Sequence, residues 1–206
     1  MDQTVYIVDD DEAVRDSLSL WLNYQNYSVQ SFVDAKSFLD QLTATQRGCI
    51  VSDIRMSGMS GLDLQQELLR RKCQLPIIFI TGHGTVPMAV TAIREGALDY
   101  CRKPINEQEL LARISEAFVL EEESYCRHQA QAQLIQLFEQ LTRREMQVTG
   151  FIAEGLANKV IAANLNISER TVEVHRAHAV AKLQVASVAQ LVRAYVNYQA
   201  IARPEQ

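Results

Sequence analysis

The feature that most narrows what this chain can fold into is a regular alternation, through its first 120 residues, of short apolar runs with segments of helical period. Residues 5–8, 28–33, 49–52, 76–80 and 98–101 are strand-like and rich in Val, Ile, Phe and Tyr. Between them the apolar residues recur near every 3.6 positions, as in Val14, Leu18, Trp21 and Leu22, or Leu62, Leu64, Leu68 and Leu69. Parallel strands need crossover connections, and runs that are apolar at every position are buried on both faces. Five such repeats therefore predict an α/β fold: a doubly wound, five-stranded parallel sheet with helices on both sides.

The pattern changes after residue 105. Residues 106–141 hold neither Gly nor Pro, and the stripe Leu110, Leu111, Ile114, Phe118 gives way to Glu121-Glu122-Glu123 and a Gln- and Ala-rich stretch at 129–133. Helix formers persist while the apolar face disappears, which predicts a stiff helical linker bridging two domains through solvent. From Leu141 onward everything is helical in pattern, with turn signals at Gly155, residues 164–168 and Ala186-Ser187, so about four short helices follow. The expected domains are residues 1–122, a linker at 123–140, and an all-α domain at 141–206. A chain of 206 residues accommodates two modest domains.

Composition removes several classes. With 48% hydrophobic residues, 8 Gly and 4 Pro the chain is not disordered, and no apolar run approaches the roughly 20 residues of a membrane-spanning helix. The first residues lack a basic stretch and a cleavage signal, so a cytoplasmic location without a membrane partner is expected. Cys49, Cys73, Cys101 and Cys126 form no C-x-x-C pair and are expected to be reduced, mostly buried thiols. The net charge of −5 conceals an asymmetry: residues 1–120 have 16 acids against 11 bases, whereas residues 141–206 have 5 acids against 8 bases. A mildly basic second domain makes nucleic acid a candidate partner.

Acids follow the first strand at Asp9, Asp10 and Asp11, and the third strand runs into Asp53. Thr81 closes the fourth strand, and Lys103 follows the fifth just before Pro104. In an open parallel sheet these strand ends meet in a crevice at the topological switch point, where ligands bind. Crowded carboxylates repel one another unless a cation neutralises them, and oxygen donors with open positions suit Mg²⁺, which in turn attracts phosphate.

At this point the chain resembles the receiver domains of two-component response regulators. Val8-Asp9-Asp10-Asp11, Asp53-Ile54-Arg55-Met56 with Gly58-Met59-Ser60-Gly61-Leu62, Thr81-Gly82-His83-Gly84 and Asp99-Tyr100-Cys101-Arg102-Lys103-Pro104 occur in order. The resemblance implies a flavodoxin-like receiver in which Asp53 is the phosphoacceptor. Asp9, Asp10, Asp53 and the backbone carbonyl of Arg55 would be the Mg²⁺ ligands, Asp9 through water. Thr81 and Lys103 would each hold a phosphoryl oxygen, and Tyr100 would be the switch aromatic. Receivers usually carry Pro four residues after the phosphoacceptor; Ser57 stands there, which predicts a less rigid loop.

The C-terminal segment has helix, turn, helix spacing. Thr142 and Ser168 are expected N-caps, and the helix after Ser168 carries Arg170, His175, Arg176, His178 and Lys182. Leu141-Thr142-Arg143-Arg144-Glu145, Asn158-Lys159, Ile167-Ser168, Thr171-Val172 and Lys182-Leu183 resemble the LuxR-type helix-turn-helix of the FixJ/NarL group of response regulators. Val160 and Thr149 depart from that pattern, where Glu and Leu are usual. The resemblance implies phosphate contacts from Lys159, Thr171, Arg176 and Lys182, and a base-facing register of Glu173, Val174, Ala177 and His178, with His175 beside them.

Together these features imply a transcriptional regulator rather than a conventional enzyme, its only reaction being Mg²⁺-dependent phosphoryl transfer to its own Asp53. The expected partners are a sensor histidine kinase, double-stranded promoter DNA, RNA polymerase and, once phosphorylated, a second copy of the chain. Two other readings fit the architecture. A flavodoxin-like enzyme or sensor would need Gly, Ser and Thr after the first strand, where this chain has Asp9-Asp10-Asp11-Glu12. A phosphorylation-independent DNA-binding protein would use the first domain only for assembly.

Overall fold

The structure is a computed structural model that describes residues 3–82 and 86–202. It divides into two compact units, 1–125 and 126–206. In the first unit, strands β1 (Thr4–Val8), β2 (Ser28–Phe32), β3 (Gly48–Asp53), β4 (Ile77–Thr81) and β5 (Asp99–Arg102) form one sheet in the order β2-β1-β3-β4-β5. All four pairings are parallel. Strand order reverses between β1 and β3, so the switch point lies beside the acids that follow β1.

Alternate residues of each strand serve opposite cores. Tyr6, Val8, Ile50 and Phe79 pack against α2 (Ala35–Gln41), α3 (Gly61–Arg70) and α4 (Val86–Arg94) through Phe38, Leu64, Leu68 and Ala92. Val5, Ile7, Val51, Ile78 and Ile80 pack on the other face against α1 (Glu12–Tyr24) and α5 (Glu107–Glu139), through Leu18, Leu22, Leu110 and Ile114. Burial on both faces accounts for the uninterrupted apolar runs of β3 and β4, every residue of which is buried. Strand β2 departs from the expectation of two-sided burial: it lies at the sheet edge, and only Phe32 of its five residues is buried.

The long helix α5 runs unbroken through the segment expected to be a linker, but that segment is not polar throughout. Phe138 is buried in the core of the second unit with Ala179, Leu183 and Leu191, and Leu134 and Leu137 pack at its edge. Phe138 also stacks on Tyr198, with centroids 4.3 Å apart and planes at 12°. The remainder of this unit is α6 (Arg143–Ala153), α7 (Asn158–Leu165), α8 (Glu169–Lys182) and α9 (Val188–Ala202). Thr142 and Glu145 close a capping box at the start of α6, Asn166 ends α7 in the left-handed conformation, and Ser168 caps α8. Val148, Ile161, Leu165 and Val172 bind α6, α7 and α8 into one core. The four cysteines are free thiols; Cys49 and Cys101 are buried, while Cys126 is exposed.

Candidate functional site

Sheet register assembles the first site. Val8 lies opposite Ser52, Asp53 opposite Ile80, and Thr81 opposite Arg102, so Asp9, Asp53, Thr81 and Lys103 emerge at one edge of the sheet. Lys103 Nζ donates to Asp9 Oδ2 and to Asp53 Oδ2, each at 2.8 Å. Asp9 is fully buried, and its second oxygen accepts from the Asp11 amide at 2.9 Å. Burial pushes the Asp9 carboxyl above its ordinary range, against the opposing pull of Lys103. For Lys103, burial works downward, but the hydrogen bonds to Asp53 and Asp9 outweigh it and hold the ammonium above its ordinary value.

The loop after β3 is drawn around the same edge. The Arg55 amide donates to Asp53 Oδ1 at 3.0 Å, and the Ser57 amide donates to Asp10 Oδ2 at 2.7 Å. A proline at position 57 could not make the second bond, so serine here ties the loop to an acid rather than only loosening it. Gly61 opens α3 directly against β3: a Cβ there would stand 2.3 Å from the Asp53 carbonyl oxygen. Thr81 is buried, and its carbonyl accepts from the Lys103 amide at 2.8 Å. Tyr100 is half-buried against the core beneath α4, and its buried hydroxyl has no hydrogen-bond partner among the described residues. His83 and Gly84, quoted in the sequence motif, lie outside the described residues.

Asp9 and Asp53 each turn an oxygen to Lys103, and Asp10 turns one to Ser57. Accordingly, among the described residues no group of three His, Cys, Asp or Glu side chains could hold a metal by itself. The donor chemistry nevertheless fits Mg²⁺. That ion takes only hard oxygen donors and keeps several waters, using one or two carboxylates together with phosphate oxygens rather than an all-protein cage.

The second site is the surface of α8. Arg170, Glu173, Val174, Ala177, His178 and Ala181 are exposed and recur at helical spacing, forming one continuous face. Thr171, His175, Arg176 and Lys182 flank it half-buried, Val172 and Ala179 are buried behind it, and Lys159 is exposed on α7. Sequence reasoning left Arg170 out of the contact set, although the i, i+3, i+4 spacing already put it on the same face. Lys182 is engaged within the unit: its ammonium lies 2.7 Å from Oε2 of the buried Glu145, to which His178 Nδ1 also approaches at 3.6 Å.

A doubly wound domain with acids and a lysine at its strand ends, followed by a capped helix-turn-helix, defines a class of two-domain regulator. The family described as "Response regulator receiver domain" matches residues 5–115, and "Bacterial regulatory proteins, luxR family" matches residues 139–195. The chain belongs to the response regulators that join a receiver to a LuxR-type DNA-binding domain, the FixJ/NarL type. It is 43% identical over 189 residues to the response regulator protein TodT of Pseudomonas putida, covering 92% of this chain and 83% of that one. It is 41% identical over 190 residues to the transcriptional regulatory protein FixJ of Bradyrhizobium diazoefficiens, covering 92% of each. Among solved structures, response regulator StyR matches with a TM-score of 0.89 at 43% identity, covering 96% of this chain and all of that one. Full-length FixJ from B. japonicum matches with a TM-score of 0.58 at 38% identity, covering 95% of this chain and 97% of that one. No helix among the described residues is long and apolar enough to cross a membrane.

Proposed function

We propose that Asp53 accepts a phosphoryl group from a partner histidine kinase, and that the modified protein dimerises and binds promoter DNA to regulate transcription with RNA polymerase. The observation that carries this reading is the placement of the Asp53 carboxylate at the end of β3, 2.8 Å from the Lys103 ammonium. A carboxylate oxygen attacks phosphorus, the bond from phosphorus to the donor nitrogen breaks, and the donor imidazole leaves with that electron pair. Lys103, freed from Asp53 Oδ2 as that carboxylate becomes an acyl phosphate, pairs with a phosphoryl oxygen, and the Thr81 hydroxyl donates to another. Asp9, Asp10, Asp53 and the Arg55 carbonyl would hold Mg²⁺, which when bound neutralises charge on the phosphoryl group. Tyr100, with its hydroxyl unpaired among the described residues, is the side chain able to change position when Thr81 is recruited.

In the second unit, the exposed face of α8 enters the major groove, with Glu173, Val174, Ala177 and His178 toward base edges. Lys159, Thr171, Arg176 and the exposed Arg170 hold phosphates, and His175 supports them from the flank. The experiment is mass spectrometry of the full chain after incubation with Mg²⁺ and a small phosphodonor. One added phosphoryl group is expected, absent in Asp53→Asn. Equal phosphorylation of that variant would remove Asp53 from the role.

A further inference from the structure

The opposite end of the sheet carries a second charged cluster that plays no part in the phosphoryl site. Gly48 opens β3 with φ 128°, and a Cβ there would lie 1.9 Å from the Thr4 carbonyl oxygen, so the chain at residues 47–48 is pressed against the start of β1. The Arg47 carbonyl is fixed by the Thr4 amide at 3.0 Å and approached by the Tyr6 hydroxyl at 3.4 Å. From this anchored backbone the guanidinium reaches α5. Nε donates to Glu121 Oε1 at 2.6 Å, Nη2 donates to Glu121 Oε2 at 2.9 Å, and Nη2 also donates to Glu122 Oε2 at 2.5 Å. The Tyr125 ring covers the guanidinium, 3.7 Å from its central carbon. Gln3 Nε2 completes the cluster, donating to Glu121 Oε2 at 3.0 Å and to the Phe118 carbonyl at 2.8 Å.

These contacts begin where the core contacts of α5 in this unit end. Leu110, Ile114 and Ala117 are the buried apolar residues of this stretch, and Phe118 is the last to pack against them. Beyond it come Val119 and Leu120, both exposed, then three consecutive acids, Glu121 to Glu123, and a mostly polar stretch. Such a segment has like charges to repel and buries no apolar side chain of its own in the first unit's core, and isolated helix is marginal in water. Arg47 addresses both problems at once. Its planar fork pairs bidentately with one carboxylate while binding a second, and its face stacks on an aromatic ring, which a lysine could not do together. The Arg47 and Glu121 side chains are only 8% and 5% exposed, so solvent screening does not remove the interaction. A buried ion pair is a weak source of net stability compared with apolar packing, so its main consequence is where the helix is held.

We propose that Arg47 is a latch that carries helix α5 beyond the end of the first unit's core: beside the bond from the Ser124 hydroxyl to Gln74 Oε1 at 3.2 Å, it is the main hold that the first unit has on residues 119–130. The latch acts independently of Asp53 chemistry and goes beyond the function proposed above.

Hydrogen exchange of the full chain tests it. In Arg47→Met, amides of residues 119–130 should exchange roughly tenfold faster or more, because the substitution removes all three charge-assisted bonds to Glu121 and Glu122. Amides of β1, β3 and β4 should keep their wild-type rates. Tyr125→Ala, which removes the ring and leaves both ion pairs, should accelerate the same segment by about threefold, through loss of the cation–π contact. Unchanged exchange at 119–130 in a folded Arg47→Met would overturn the proposal. So would acceleration spread evenly over the whole first unit. Should Arg47→Met fail to fold, Tyr125→Ala decides by the same two criteria.

Discussion

Replacing Lys103 by Met should destabilise the first unit by about 3 kcal/mol at neutral pH, and the loss should shrink on acidification. Methionine keeps most of the stem, so the substitution removes the ammonium and its two 2.8 Å hydrogen bonds to Asp9 and Asp53. Stranding a buried charge costs about 3–5 kcal/mol. The Lys103 and Asp53 side chains are 21% and 12% exposed, so water reaches part of the site and the low end of that range applies. Asp9 sets the pH dependence. Its carboxyl is already held above the ordinary 3.8 by burial, and losing Lys103 raises it further. A carboxyl raised in the folded state destabilises the fold only as pH climbs from its unfolded value through its folded one, so the variant's penalty is larger and completes at higher pH. Lys103 itself, held above 10.5, contributes stability throughout the neutral range, and loses it only as pH rises through its folded-state value. Once acid protonates Asp9, its ion pair with Lys103 is lost in the wild type too, and the two proteins converge. Urea unfolding followed by the fluorescence of Trp21, the chain's one tryptophan, reports on the first unit alone. A gap of the same size at pH 3.5 and pH 7, or no gap at pH 7, would refute the argument that pairing with buried Asp9 positions Lys103.

Ser57→Pro should change the stability of the first unit by less than about 1 kcal/mol, because loss of the exposed bond to Asp10 and restriction of the unfolded chain oppose each other. Trp21-monitored unfolding checks it, and a loss beyond about 2 kcal/mol would show that bond to be a main support of the loop. Phe138→Ala should cost the second unit about 3–4 kcal/mol, since a fully buried ring stacked on Tyr198 leaves a cavity; hydrogen exchange of α9 should accelerate accordingly. Arg176→Ala should weaken binding to all DNA sequences alike and lower the salt slope, whereas Glu173→Ala or His178→Ala should change base preference. Titrations on mutated half-sites at several salt concentrations separate the two outcomes, and a shifted base preference in Arg176→Ala would mean the register of α8 is wrong.

The sheet was legible because its strands are buried on both faces, so Ile77 to Ile80 needed no alternation to be recognised. Even the edge strand β2, with Ser28, Gln30 and Ser31 exposed, was marked by its Val and Phe. The strand-end acids and Lys103 were legible for a topological reason: parallel crossovers put every strand's C-terminus at one edge. What could not be read is where side chains spend their charge. Nothing in the sequence sets Arg47 apart, whereas in the fold the chain pressed against Thr4 at Gly48 carries a guanidinium that reaches Glu121. The role of Phe138 was hidden for a different reason. Its apolar neighbours Leu134 and Leu137 make too short a stripe to stand out in a 33-residue helix whose middle is polar.

Lys182 shows how tertiary pairing redistributes the work along α8. From sequence it belongs with the phosphate contacts, being a cation near the end of a helix that also carries Arg170 and Arg176. In the fold its ammonium is 2.7 Å from Glu145, a buried carboxylate that also closes the capping box of α6. Burial pushes the Glu145 carboxyl up, but Lys182 and Thr142 outweigh it and hold it below its ordinary range, so Glu145 is ionised at neutral pH. To reach a phosphate, Lys182 would have to leave that carboxylate buried without its partner, at a cost larger than an exposed phosphate contact returns. Lys182 therefore ties α8 to α6, and on the docking proposed above the phosphate contacts would fall to the cations that face outward or flank the exposed face: Lys159, Arg170 and Arg176. The face that α8 presents is thus held in place by a pair formed behind it, between Lys182 and the buried Glu145.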